Sequence, residues 1–343
     1  NTHLRATVGQ VDDDRGGYAR AQPILAMEEH GDKRSTSDGY GGVKRSTTPR
    51  IECLRGIGLI DASVRHTIFM ELTKARIKRK VTEINEQLRA TNNDWNHVLT
   101  SLLFKVMGGF GNRKAMIHLS ETISYTHIAR ERGSVVNLEA LLIGGAGLLE
   151  VYPEDDYIAK LKLEATHQIA KYGIKPMDVS EWHLNTKYPN NNPILRLVQI
   201  AATLYNNIIT ISSVTSCRSR KDIYKLFSCD TSKYWTEKIS HELAGTTLSR
   251  HIGRSKCDII GINLVVPIIY AYRNYTSSGQ FDVSPSQLLM DIPAENNIYT
   301  KLWQSYAHIS NSALDSQALI QLSREYCEKG ACNICPIAKY TLQ

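Results

Sequence analysis

From Asp61 onward, apolar residues recur at three- and four-residue spacing almost to the end of the chain. Val64, Ile68, Leu72, Ala75, Val81, Ile84 and Leu88 form one stripe, the pattern of a long amphipathic helix that stops at Thr91-Asn92-Asn93. Asn93 or Asp94 is suited to cap a second helix carrying Trp95, Val98, Leu99, Leu102, Leu103 and Val106, ended by Gly108-Gly109. The same periodicity predicts helices over 114–125, 136–149, 155–172 with Gly173 as its stop, and 193–208 with Pro193 in the first turn. The second half adds 220–227, 233–243, 257–272, 285–290, 295–308 and 314–328. No heptad or other fixed-period repeat accompanies them. The expected fold is mostly α: a multi-helix globular bundle with an irregular N-terminal segment and a C-terminal cysteine loop.

Residues 1–52 break this pattern. Asp12-Asp13-Asp14-Arg15-Gly16-Gly17 and Ser37-Asp38-Gly39-Tyr40-Gly41-Gly42 are turn chemistry, leaving room for short strands at 4–8 and 24–27. The segment reads as the remnant of a preceding domain. A polar interruption at 213–220 suggests a division of the helical body into 53–215 and 216–343. The longest apolar run, 259–272, contains Asn263 and Pro267 and falls short of the roughly 20 residues a membrane span needs. It reads as a buried core helix, with no membrane span expected.

Composition narrows the class. With 343 residues and 42% hydrophobic content, the chain has material for a substantial core. A net charge of +7 favours an anionic partner. Asn1 is not followed by a basic start and an apolar stretch, so a signal peptide is not expected and a fragment of a longer product is. Of seven cysteines, Cys53, Cys217, Cys229 and Cys257 are widely scattered; a reducing, cytoplasmic location fits them better than a disulfide framework.

The other three, Cys327, Cys332 and Cys335, follow C-x4-C-x2-C spacing within one short loop. Soft sulfur ligands so placed suit zinc or an iron–sulfur cluster, with a remote fourth donor such as His308, Asp315 or another cysteine. A buried, inert trio and a thiol–disulfide function are the competing readings. Lys74, Arg76, Lys78, Arg79 and Lys80 form the densest positive patch, extended by Arg65 and Arg89. Such a stripe suits a phosphate backbone, although Glu71, Glu83 and Glu86 on the same helix make a solvated face the simpler account. Gly144-Gly145-Ala146-Gly147 lacks the preceding strand and following Lys-Ser/Thr of a phosphate loop and reads as close helix packing. Glu295, His308 and Asp315 are the candidates if a catalytic pocket exists.

Several segments together resemble the bacterial family grouped as domain of unknown function 2851. They are Asn93-Asp94-Trp95, the stretches 138–149 and 192–201, Tyr234-Trp235, the stretches 263–267 and 293–297, and 315–322 running into the cysteine loop. The resemblance spans about residues 50–338. It implies a C-terminal helical portion preceded, in full-length members, by a mixed α/β portion similar to the PD-(D/E)XK nucleases. The Gly-Pro-Asp and Glu-x-His of that portion do not occur here, so nuclease-like catalysis would belong to residues the chain lacks. The expectation is a nucleic-acid-associated helical module, binding DNA or RNA, with a structural metal or cluster site. The alternative is a protein-interaction scaffold without enzymatic activity.

Overall fold

The computed structural model describes residues 49–184, 189–205, 208–242, 248–276 and 285–342. The strands expected at 4–8 and 24–27 lie outside them. The described residues are predominantly helical and contain no strand, only an isolated antiparallel bridge between Pro293 and Ser312.

The dominant element is a 29-residue helix, Ala62–Ala90. It starts where Asp61 Oδ1 accepts from the backbone N–H groups of Ser63 (2.9 Å) and Val64 (3.2 Å), satisfying donors that have no partner within the helix. It stops where Asn92 and Asn93 adopt left-handed φ values of 52° and 63°, which asparagine tolerates better than most residues. Asn93 N–H then closes on Leu88 O at 2.7 Å. Asp94 caps the next helix, Trp95–Met107. The buried stripe of the long helix is Phe69, Leu72, Thr73, Ile77, Val81, Ile84 and Leu88. Ala75 is exposed and Val64 and Ile68 are only partly covered, so the core face is rotated slightly from the expected one.

Two segments flank this helix. Ala313–Leu322, buried at every position except Asp315, lies against it in parallel. Thr73 Oγ1 donates to Leu314 O at 2.8 Å, Arg76 Nε to Gln317 Oε1 at 2.7 Å and Arg79 Nη2 to Gln321 Oε1 at 2.6 Å. The continuous segment Arg254–Thr276 crosses both the long helix and Trp95–Met107. It is long and apolar enough to cross a membrane, but 67% of its most apolar stretch is buried within the molecule, as a core helix requires. In mid-course it widens into a π-turn, Gly261–Val265, with Val266 N–H bonded to Gly261 O. Pro267 is the physical cause: it has no N–H for Asn263 O, and its ring crowds that carbonyl.

A third layer comprises Val135–Gly145, Asp156–Tyr172 and Pro193–Leu204. The glycine run acts as packing. A Cβ on Gly144 would stand 2.6 Å from Ala165 Cβ, and Gly147, at φ 70°, lies against the Met177 carbonyl. Residues 45–343 form one compact unit.

Candidate functional site

On the long helix, positions 76, 79, 80 and 83 lie beside the buried stripe, and four further segments close around them. The resulting cleft has a volume of about 480 Å³. Lys105 comes from Trp95–Met107, Arg113 from the start of Arg113–Thr122, Asn263 and Pro267 from the π-turn region, and Arg324, Glu325, Glu328 and Lys329 from the C-terminal segment. Seven basic side chains thus face three acidic ones, a strongly cationic lining. A second π-turn, Ser323–Cys327, extends Ala313–Leu322 and supplies Arg324 and Glu325. The cleft therefore sits between two π-turns, a backbone form that recurs at functional sites.

Gln317 is the hub of the hydrogen bonds behind the cleft's lining. Only 1% exposed, it accepts through Oε1 from Arg76 Nε (2.7 Å) and Lys80 Nζ (3.4 Å) and donates through Nε2 to Glu295 Oε2 (2.9 Å). Lys80 Nζ also donates to Ile262 O (3.2 Å) and Asn263 Oδ1 (3.0 Å). Both cations are surrounded by protein except towards the cleft, and among the described residues neither donates to a carboxylate. Burial pulls Lys80 down to about 7, with neighbouring Arg76 adding to the effect, and lowers Arg76 to about 10. At the rim the charges are paired: Arg79 and Lys329 both hold Glu325, and Lys105 Nζ lies 3.2 Å from Glu83.

The five expected nucleic-acid contacts therefore divide between two environments. Arg76, Arg79 and Lys80 turn into the cleft. Lys74 and Lys78 are exposed on the outer face, Lys74 lying 3.8 Å from Glu71. Arg65 is committed to the Ile60 carbonyl at 2.9 Å. Sequence reasoning missed Lys105, Arg113, Arg324 and Lys329, whose relation to the basic helix is set by tertiary packing and leaves no local pattern.

Glu295, His308 and Asp315 do not assemble as a catalytic trio. Glu295 is held by Gln317, His308 is exposed, and Asp315 closes a capping box by accepting from Ser312 N–H at 3.0 Å. A separate polar cluster lies elsewhere: Glu139, 1% exposed, accepts from Trp235 Nε1 (2.5 Å) and Tyr157 Oη (2.8 Å). Burial raises its carboxyl to about 7 despite those donors.

The cysteine loop is compact. Gly330, at φ 62°, turns the chain so that its N–H reaches Cys327 O (3.0 Å) and Ala331 N–H reaches Tyr326 O (2.8 Å); Cys335 N–H closes on Cys332 O at 3.3 Å. Cys53, from the short helix Ile51–Gly56, joins Cys327, Cys332 and Cys335 as an electrostatic neighbour. Among the described residues no three His, Cys, Asp or Glu side chains stand close enough to hold a single metal ion.

These features define a mainly helical protein with a cationic cleft beneath its longest helix. The chain belongs to the family described as Protein of unknown function (DUF2851), which it matches over residues 20–298. The match includes the long helix, Asn263 and Glu295 and ends before Gln317 and the cysteine loop, whereas the expected span was about 50–338. No curated protein and no solved structure matches the chain.

Proposed function

We propose that this protein is a nucleic-acid-binding module that takes a phosphodiester backbone into the cationic cleft. The observation that carries this reading is the pair Arg76 and Lys80, two largely enclosed cations whose hydrogen bonds go to neutral acceptors, Gln317 for Arg76 and Asn263, Ile262 O and Gln317 for Lys80. Enclosing a charge is costly; Glu295 and Glu325 near Arg76, and Glu295 and Glu83 near Lys80, offset only part of that cost, and an anion in the cleft offsets more. Arginine forks and a lysine ammonium are the groups that pair with phosphate oxygens. The net charge of +7 supplies long-range attraction of the same sign.

Fluorescence anisotropy with labelled single- and double-stranded DNA and RNA, titrated at 50 and 200 mM salt, tests the reading. Two or three phosphate contacts give a log–log salt slope of about −2. Replacing Arg76 and Lys80 by Gln and Met should weaken binding at least tenfold, and Arg324→Gln at the cleft mouth several-fold. Lys74→Gln with Lys78→Gln should change it less than twofold. No binding at low salt, or equal loss from the inner and outer substitutions, overturns the proposal.

A further inference from the structure

The C-terminal loop presents three cysteines with ligand spacing, and no His, Cys, Asp or Glu follows Cys335 in the sequence. The fold brings a fourth thiol from the other end of the described chain. The helix Ile51–Gly56 packs on the C-terminal helix Ala338–Thr341, so closely that a Cβ on Gly56 would lie 2.8 Å from Thr341 Cγ2. Thr341 Oγ1 donates to Cys53 Sγ at 3.3 Å across a separation of 288 residues. The 3₁₀ turn Cys332–Ile334 contacts both Ala338–Thr341 and the π-turn that ends in Cys327. Each of Cys53, Cys327 and Cys335 has other members of the set as electrostatic neighbours, and together these couplings include every pair of the four.

We infer that Cys53, Cys327, Cys332 and Cys335 together hold a [4Fe–4S] cluster, with Cys53 as the ligand the C-terminal loop lacks. Ligand number and type match, since such clusters take four cysteine thiolates. A cluster anchors each thiolate to a different iron, at separate corners of a cage, so its ligands need not converge as tightly as four sulfurs each bonded at about 2.3 Å to one zinc ion. The surroundings suit sulfur ligands too. Thr341 donates to Cys53 Sγ and the backbone amides of Ile337 and Ala338 favour the thiolate of Cys335, and hydrogen bonds to cluster sulfurs are a principal means of tuning such centres. Pro336 directly follows the last ligand, as it does in the bacterial ferredoxin run.

The cluster ties the first described helix to the last. Because Cys327 ends the π-turn that carries Arg324 and Glu325, it also braces one wall of the cleft. The inference is independent of what the cleft binds.

The test uses the whole chain, purified without oxygen and, in parallel, reconstituted with ferrous iron and sulfide. About four irons and four acid-labile sulfides per chain, with a broad visible absorption band, are expected. Cys53→Ala should lose the band and most of the iron, as Cys335→Ala does. Cys217→Ala, whose thiol is buried elsewhere and donates to Ser213 O, should keep both. Cys53 also packs in the core, so alkylation of the unmutated protein gives a second reading: all four thiols should be protected together and become reactive together once iron is chelated. Stoichiometric zinc, protein that stays metal-free after reconstitution, a Cys53→Ala variant with full iron content, or Cys53 labelled independently of the other three overturns it.

Discussion

Lys80 and Lys256 are amines whose charge the fold opposes, and Glu139 is a carboxylate in the same position. Lys256 Nζ is enclosed, donating to Val106 O (2.7 Å) and Met107 O (3.2 Å) at the end of a helix, and burial lowers it, like Lys80, to about 7. An unfolded lysine keeps its proton up to its ordinary value of 10.5. Between pH 7 and 10.5 the unfolded chain therefore holds more protons than the native one, and stability rises with pH across that window. Glu139 acts in the opposite sense: raised from 4.5 to about 7, its contribution is complete below pH 4.5 and is lost as pH climbs to 7. These three groups together predict a dip in stability centred near neutrality. Urea unfolding at pH 5, 7 and 9 should give its lowest midpoint at pH 7. Glu139→Gln should flatten the acidic side and Lys256→Met the alkaline side. A profile that neither substitution alters would show that burial at these residues is relieved by water. Phosphate binding would raise Lys80's pKa, so affinity for nucleic acid should weaken as pH rises through 7.

At the level of elements, the cap at Asp94, the first turn at Pro193 and the stop at Gly173, at φ 63°, were legible because they depend on neighbouring residues. Asp61, Asp155, Asn192 and Ser219 also cap helices, and the short helix Tyr125–Glu131 falls where none was expected. The two π-turns were not legible, because the apolar pattern continues through them; only Pro267 hinted at the first. The short helices Ile51–Gly56 and Ala338–Thr341 are too brief to show a period. The same limit applies to the sites. The basic residues of the long helix were visible as a run, but the division between inward Arg76, Arg79 and Lys80 and outward Lys74 and Lys78 depends on a partner helix about 240 residues away. Cys53 likewise meets the C-terminal loop only through tertiary packing. Glycines show how local pattern and packing separate. Gly147 and Gly173 have nearly the same positive φ, but a Cβ at 147 would lie 2.1 Å from the Met177 carbonyl oxygen whereas at 173 it meets nothing within 4 Å. Gly173→Ala should cost about 1 kcal/mol, the left-handed backbone penalty alone. Gly147→Ala should cost about 3 kcal/mol or more, because the backbone itself must shift. Equal losses in thermal or urea melts would mean that the Met177 segment yields easily.

For the molecule as a whole, the polar break at 213–220 invited a division into two helical halves, and the packing bears on whether they unfold separately. The long helix Ala62–Ala90 belongs to the first half by sequence, yet its neighbours Ala313–Leu322 and Arg254–Thr276 belong to the second. Gln199 Nε2 donates to His251 O at 3.4 Å, and Glu139 is bonded to Trp235. Removing residues 216–343 would uncover the face of the longest element that packs on Ala313–Leu322 and Arg254–Thr276, an apolar loss that neither half could absorb. Residues 45–343 should therefore unfold in one cooperative transition, even though chains of this length commonly do not. The four tryptophans report on both sides of the break: Trp95 and Trp182 before it, Trp235 and Trp303 after it. Variants retaining a single tryptophan should give fluorescence midpoints in urea that coincide with one another and with the loss of helical circular dichroism. If Trp182 and Trp303 instead report separated midpoints, the contacts of the long helix with the second half are too weak to couple the halves, and the cleft between them would open well before either half unfolds.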